Sequence, residues 1–537
     1  MPRVELAGGV NGDSATQFSA EECINMRPII DTYNSGKGNV KLVEHFGTIP
    51  IGGLNVKSYE RLYWAYTSST RETFAFLWAV NNVASEFITV VRYDENGVQT
   101  TFKLGTISTN GYPDKIEVID NGTVLSILVI WETTTQYHEL YFYNFATESL
   151  DLCTTPSGTW FVQQTYKDTY FAYADRKNGR FYISDNNASN PLAAINPLDF
   201  GTLESNPDKV NGIAAIGNEL AVFGDNSIEF FYNSGNVDFP FERNSGVSQD
   251  IGLKGRYSIQ RIRNKLYFLG ADGSSEGTVF VLNGYIPEPL SNQIGSSNSL
   301  NIPFDVFLPD SYSYYDGKHA TYILYKGDYS VNEANYYTIK YAYDVDTGLW
   351  STISLINNSG EYIGTPSVSV VPYFSSQIQV GVQELISIGK DFIYGSGSEA
   401  TIGVLSTSRS LKESQDTVTE AEPTTANYLP ILPRLRTLKH MVVENRDVLY
   451  KSFELDIQKD VANVDDADPT ISISMSKDGG MTFGTPKVVR IGGTNAQQRI
   501  RIKRLGRGRD VVFKIESSSP VQQEWFTAYL EYEVLDD

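Results

Sequence analysis

The sequence predicts an all-β fold: an irregular β-propeller with an N-terminal arm and an additional C-terminal β module. Three observations carry this. The chain holds 34 Tyr and 27 Phe against 5 Met, a balance that favours strands over helices. Short β-branched and aromatic runs alternate with Gly, Asn and Asp, the residues of hairpin turns. A strand–turn–strand–turn–strand figure recurs roughly every 45 residues, as propeller blades do. It is clearest in Asn211–Gly284, where Ile213–Ile216, Leu220–Phe223 and Ile228–Tyr232 are followed by Tyr257–Ile262, Leu266–Leu269 and Thr278–Leu282.

Residues 1–53 read as an arm on the rest of the chain, rich in glycine, with Ser19 and Glu22 placed to open a short helix as a capping box. Blades are expected over 54–403. Arg61–Tyr66, Phe74–Val80, Phe87–Tyr93 and Val98–Leu104 form the first, with Asn96-Gly97 as a turn that needs two positive φ angles. Lys115–Ile119, Val124–Trp131, Glu139–Tyr143 and Leu150–Cys153 form the second. Trp160–Thr165, Thr169–Ala174 and Arg180–Ser184 form the third, and Asn211–Gly284 supplies the fourth and fifth. Tyr312–Tyr315, Thr321–Tyr325, Tyr336–Tyr343 and Leu349–Ile353 form the sixth. A weaker set follows at Gln377–Val382, Leu385–Ile388 and Phe392–Gly395. Residues 404–433 are polar and break the rhythm as a linker or insertion. In 434–537 the runs Arg434–Val443, Tyr450–Ile457, Thr470–Ser476, Gln498–Arg504, Asp510–Glu516 and Glu524–Val534 read as strands, either of a separate sandwich or of the propeller's completion.

Charge bounds the function. With 43 Lys and Arg against 64 Asp and Glu, the net charge is −21, which argues against a chain that grips nucleic acid by its phosphates. An acidic surface suits either plain solubility or a wall that DNA must slide past without sticking. Cys23 and Cys153 are the only cysteines, so neither a disulfide framework nor a thiolate metal cluster is expected. The opening MPRVELAGGVNGDS lacks the pattern of a signal peptide. No apolar run approaches about 20 residues, so this chain is not expected to insert in a membrane.

Two stretches draw attention as sites. Ser476, Asp478, Gly480, Thr482 and Phe483 match the Asp-box pattern, S-x-D-x-G-x-T-W/F. In it the Asp accepts bonds from its own turn, the glycines permit the bend, and the aromatic anchors the hairpin in the core. Turn chemistry alone explains each residue, although such boxes also occur in sialidases. The second stretch is a basic run, Arg499, Arg501, Lys503, Arg504, Arg507 and Arg509, in which Ile500 and Ile502 alternate with cations as on a half-buried strand. It is open to three readings: a solvated face balanced by neighbouring acids, a subunit contact, or a phosphate contact. His45, His138, His319 and His440 show no metal-ligand spacing. Glu219 with Glu229, or Asp175 with Asp185, make a glycosidase dyad only on paper. Asp344 and Asp346 read as turn formers before Gly348-Leu349-Trp350. No catalytic residue, cofactor or metal is assigned.

The order of motifs along the chain resembles the packaged-DNA stabilisation proteins of short-tailed bacteriophages, which form the tail hub or nozzle. Leu203–Gly235 carries a Ser-x-Pro-Asp entry (Ser205, Pro207, Asp208), an Ile-Gly turn, a strand ending Phe-Gly and a Ser-Ile-Glu-Phe strand. Gly252, Leu253 and Gly255 follow. Near the start, Asn25, Met26 and Pro28, then Gly47 and Pro50, are similar too, as are Phe453-Glu454-Leu455-Asp456, the Asp box and Arg501–Val521 near the end. The resemblance implies a structural virion protein, assembled in the host cytoplasm as a homo-hexamer below the head-to-tail adaptor ring. It further implies a ring that retains packaged DNA, carries tail fibre, tailspike or needle proteins, and lets double-stranded DNA pass through its lumen without specific binding. The family has no catalytic residues to carry over. The competing class is a glycan-binding or glycan-hydrolysing propeller of sialidase-like type.

Overall fold

A computed structural model describes residues 22–30, 40–45, 115–131, 136–185, 194–206, 208–271, 277–290, 309–315, 319–326, 340–356, 433–443, 446–458, 468–492, 499–519, 521 and 523–535, together with strand backbones within 3–4, 47–106, 337–338 and 362–406. Every regular element among them is a strand.

The strands form a closed ring of blades and a sandwich. Each blade is an antiparallel sheet in chain order. The first runs Tyr59–Thr67, Thr73–Ala79, Phe87–Tyr93 and Gln99–Thr106, and the second Lys115–Asp120, Val124–Trp131, Tyr137–Asn144 and Ser149–Cys153. The third is Phe161–Lys167, Tyr170–Asp175, Arg180–Ile183 and Phe200–Thr202, and the fourth Gly212–Ile216, Glu219–Phe223, Ile228–Asn233 and Phe241–Gln249. In the fifth, Gly252–Leu253 and Gln260–Ile262 both pair with Lys265–Ala271, followed by Thr278–Asn283 and Ile286–Pro289. The sixth is Pro309–Tyr315, Ala320–Lys326, Lys340–Asp344 and Leu349–Ile353. A seventh blade joins Val368–Pro372, Glu384–Ile388 and Thr401–Ser406 to a strand from the other end of the chain, Gly47–Pro50. Its inner strand lies against the first strand of blade one, closing the circle.

Blades pack face to face, so most are covered on both sides. Val124–Trp131 is buried at every position, which is why its sequence is a continuous apolar run without alternation. Val124, Leu128 and Ile130 join Phe161, Phe171 and Tyr173 of blade three in one core. Similar cores lie between blades three and four, four and five, and five and six. Side chains bridge the first strands of neighbouring blades. Gln164 donates to the Glu117 carbonyl and its own N–H reaches the Glu117 carboxylate. Gln163 and Thr165 accept from the Ile213 and Ala215 N–H groups, and Gln260 donates to Ser311. These bonds satisfy backbone groups that have no ladder partner at a blade junction.

The C-terminal module is a sandwich. One sheet runs Met26–Ile30, Val40–Glu44, Glu524–Val534, Val448–Ile457 and Arg499–Gly508. The other contains Arg434–Thr437, Asp510–Ser517, Thr470–Ser476 and Lys487–Arg490. Their inner faces meet in a core with Met26, Leu42, Leu455, Ile473 and Trp525, in which Phe453 and Phe513 stack with centroids 4.6 Å apart. The expected choice between a sandwich and completion of the propeller thus falls to the sandwich. It is continuous with the ring, because Cys23–Ile24 pairs parallel to Leu349–Ile353 of blade six and antiparallel to Arg434–Thr437.

The N-terminal segment is therefore woven into three sheets, beyond the surface arm the sequence suggests. Glu22 leads directly into a strand, so the helix expected there is replaced by strand pairing; Ser19 lies outside the described residues. Phe200–Thr202 and Lys487–Arg490 are strands the sequence reading passes over, being short and, in the second case, exposed. In the last blade Leu385–Ile388 coincides with a strand, whereas Gln377–Val382 and Phe392–Gly395 lie outside the described residues, as do 407–432 of the expected linker.

Asn25 sits at the joint. It is 2 % exposed, with φ of 58°. Its side chain donates to the Ser354 and Pro433 carbonyls and accepts from the Ser354 N–H. Its backbone donates to Thr352 and accepts from His45. Beside it, Glu44 and Arg434 form a buried ion pair, with the Gln523 N–H also on the carboxylate. Burial raises Glu44 to about 6 despite the guanidinium, so at neutral pH the pair is ionised.

Replacing Asn25 by alanine removes three side-chain hydrogen bonds and leaves a β-carbon at positive φ, so it should cost about 3 kcal/mol or more. Asn25→Gly, which relieves only the backbone, should recover a minor part; urea unfolding of both variants checks this. Glu44→Gln strands a buried guanidinium and should cost about 3–5 kcal/mol in the same assay.

Two buried histidines weaken the fold in acid. The Phe161 N–H donates to His138 Nδ1, which requires a neutral ring protonated at Nε2. Burial lowers His138 and His45 to about 3. Because these folded values lie below the unfolded one near 6.5, their stabilising contribution is full above pH 6.5 and is lost as pH falls toward 3. The slope should reach about 1.4 kcal/mol per pH unit for each histidine, and His138→Phe, which removes one of the two, should flatten the decline seen in thermal melts between pH 6.5 and 4.

Candidate functional site: the basic face of the sandwich

The Asp box caps the turn between Thr470–Ser476 and Lys487–Arg490. Asp478 Oδ1 accepts from Ser476 Oγ at 2.6 Å and from the Thr482 N–H at 2.9 Å, and Thr482 Oγ1 donates to Oδ2. Ser476 Oγ in turn accepts from the Gly480 N–H at 2.8 Å. Gly479 and Gly480 have φ of 69° and 86°, the left-handed turn glycine tolerates. Hydrogen bonds from Ser476 and Thr482 hold Asp478 down at about 2. Phe483 is half-buried beneath Lys514, whose Nζ is 4.8 Å from the ring centroid. The anchoring role expected for it in the core is thus a rim contact, because the hairpin leaves the sandwich before reaching it. His440 and Asp510, 2.8 Å apart, brace the turn from below.

The basic run forms the outer edge of the first sheet, and the structure divides it. Ile500 and Ile502 point into the core while Arg499, Arg501 and Lys503 face out. Arg499 pairs with Asp456 and Glu454, Arg501 with Glu454 and Glu531, and Arg509 with Asp447. Those acids arrive from neighbouring strands far away in sequence, which the linear motif conceals. Lys503, Arg504 and Arg507 are exposed and have no acid partner among the described residues. Two further cations that the sequence reading overlooks join them. A β-carbon at Gly506 would lie 2.9 Å from Lys477 Nζ, and Lys487 Nζ donates to the Lys503 carbonyl at 3.1 Å. Lys477 and Lys487 belong to the Asp-box hairpin, so its turn delivers them to the basic strand. Met481, at the tip of the same turn, is 87 % exposed.

Asp175 and Glu229, one from each acid pair considered for catalysis, are engaged in the fold. Asp175 accepts from the Trp160 and Lys177 N–H groups and from Asn178. Glu229 is buried, ion-paired with Arg243, and accepts from the Glu204 and Ser205 N–H groups. That contact also explains the Ser-x-Pro-Asp entry. Asp208 accepts from the Asn226 N–H, Asn226 Nδ2 and Ser227 Oγ, locking the turn before Ile228–Asn233. Gly252 is required because a β-carbon there would lie 1.8 Å from the Asp225 carbonyl oxygen. Pro207 lies outside the described residues.

Gly252→Ala should therefore break the junction of blades four and five and cost more than about 3 kcal/mol. Arg509→Ala, which removes a pair with Asp447 that is exposed on both sides, should cost no more than about 1 kcal/mol. Chemical denaturation of the two variants side by side tests the distinction.

Residues 123–295 match the family model of the bacteriophage P22 Gp10 β-propeller, and 434–533 match that of its β-sandwich. No curated protein matches the chain. Among solved structures, a putative 6-phosphogluconolactonase from Bacteroides uniformis is 12 % identical, covering 63 % of this chain and 96 % of its own, with a TM-score of 0.36. The β-propeller domain of the Trilobed protease from Pyrococcus furiosus is 10 % identical, covering 62 % and 91 %, with a TM-score of 0.33. The two Gp10 models fall on the ring and on the sandwich in that order and together span just over half of the chain: it belongs to the phage packaged-DNA stabilisation family, as a structural protein of the virion.

Proposed function

We propose that the chain forms the hub or nozzle of a short phage tail, a homo-hexameric ring below the head-to-tail adaptor that retains packaged DNA and serves as its conduit on ejection. The observation that carries this is the cationic cluster of Lys477, Lys487, Lys503, Arg504 and Arg507, left without acid partners among the described residues of a chain with net charge −21. Such a surface is complementary to the acidic remainder of another copy, and charge complementarity fixes register between subunits. The rigid sandwich and its continuity with blade six suit a subunit that transmits load around a ring. Excess negative charge suits a lumen that neither binds nor slows double-stranded DNA. Tail fibre, tailspike or needle proteins would dock on the distal face. The role needs no catalysis, and we assign none: Asp175 and Glu229 are engaged in turn and blade contacts.

The wild-type chain should sediment as a hexamer with interfaces of about 2,000 Å² or more. Charge reversal at Lys503, Arg504 and Arg507 to glutamate should shift it to smaller species with the melting temperature of the monomer unchanged, since none of these side chains supports the fold. A wild-type chain that stays monomeric at assembly concentrations, or that releases sugar from host polysaccharide, would overturn the proposal.

A further inference from the structure

Blade six brings together three residues that the sequence keeps apart in meaning. His319 immediately precedes the strand Ala320–Lys326, Asp344 ends Lys340–Asp344, and Asp346 lies in the following turn. His319 Nδ1 is 3.8 Å from Asp344 Oδ2 and 3.7 Å from Asp346 Oδ2. One donor atom from each residue falls within 4.8 Å of the others. The side chains are 8 %, 2 % and 18 % exposed.

Asp344 is the decisive member. Its Oδ1 accepts from the Thr347 N–H at 2.7 Å and closes the turn, as the Asp-turn reading of the sequence expects. Its Oδ2 is buried, points into the cluster, and has no hydrogen-bond partner among the described residues. A turn-forming role accounts for one carboxylate oxygen and leaves the other unexplained. Asp346 is shared: Arg263 of blade five pairs with it, and the Ala320 N–H donates to Oδ2 at 3.1 Å. Two carboxylates thus converge at a nearly dry site: the Arg263 guanidinium holds both oxygens of Asp346, and Asp344 Oδ2 is left facing His319. Such an arrangement is costly unless a cation fills it.

We propose that His319, Asp344 and Asp346 bind a divalent transition-metal ion, zinc by preference. Donor atoms 3.7 and 3.8 Å apart leave room for a small cation at zinc's short ligand distances more readily than at calcium's longer ones. An imidazole nitrogen with two carboxylate oxygens also favours zinc or manganese over calcium and magnesium. The ion would fasten the start of one strand to the turn that follows another. Through Arg263 on Asp346, it would stiffen the contact between blades five and six.

Full-length chain, stripped with a chelator, would be titrated with ZnCl2 by calorimetry and followed by thermal melting, with CoCl2 as a spectroscopic reporter of ligand geometry. One equivalent should bind per chain, and the melting midpoint should rise with free zinc, as for any ligand selective for the folded state. His319→Gln and Asp344→Asn should each weaken binding by at least 10-fold. His319→Gln lies at the rim of a strand, so it keeps the test decisive if Asp344→Asn folds poorly. His440→Gln, which removes the other histidine–aspartate contact near the surface, should bind as the wild type does. Absence of saturable zinc binding up to 1 mM, saturation by calcium alone, or binding unchanged in His319→Gln would overturn the assignment.

Discussion

The architecture depends on a short segment near residue 25 having its backbone and side-chain bonds satisfied by three different parts of the chain. Asn25 reaches blade six through Thr352 and Ser354, the entry to the sandwich through Pro433, and the returning N-terminal strand through His45. Its positive φ turns the chain sharply enough for Cys23–Ile24 to enter one sheet and Met26–Ile30 another. The buried Glu44–Arg434 pair locks the same corner from the sandwich side. A ring of blades and a sandwich each have their own core, and linked domains move relative to each other by default unless their interface is extensive. Here a shared sheet and a buried polar network take the place of a flexible linker.

Much of this could be read from the sequence, and the exceptions have physical causes. Val124–Trp131 and Glu219–Phe223 were legible because strands packed on both faces are apolar throughout and bounded by turn residues. Phe200–Thr202 was not, being short, half-buried and separated from its blade by a long excursion. Gly47–Pro50 carries no sign that its partner is Thr401–Ser406, since pairing across the whole ring leaves no local pattern. Asn25 was noticed only as part of a motif. That it closes three elements together depends on residues more than 300 positions away.

The candidate site was legible in outline. A run of arginines and lysines alternating with isoleucines declares a basic outer face. Which of those cations are neutralised is decided by Glu454 and Asp456 on the adjacent strand and Glu531 on the one beyond it, and pairing register is a tertiary property. Lys477 and Lys487 joined the cluster because the Asp-box turn folds them over the neighbouring sheet. The turn residues read as a folding device in the sequence; what that turn positions is visible only in three dimensions. The same holds for Asp344, whose turn-forming oxygen was anticipated and whose second oxygen was not.

Closure of the ring by Gly47–Pro50 and Thr401–Ser406 has a consequence for how the chain is made. During synthesis the first of these strands emerges long before its partner. At ~5–20 residues per second, the intervening ~350 residues take roughly 20–70 s to appear. Blades two to six, built from neighbouring hairpins of low contact order, can form in that interval. The early strand must meanwhile remain an unpaired edge, open to wrong partners, including the same strand of another nascent chain. The rate of productive folding is then limited by the last few residues of the ring to arrive, and the N-terminal segment acts as a latch that records whether the whole circle has been completed.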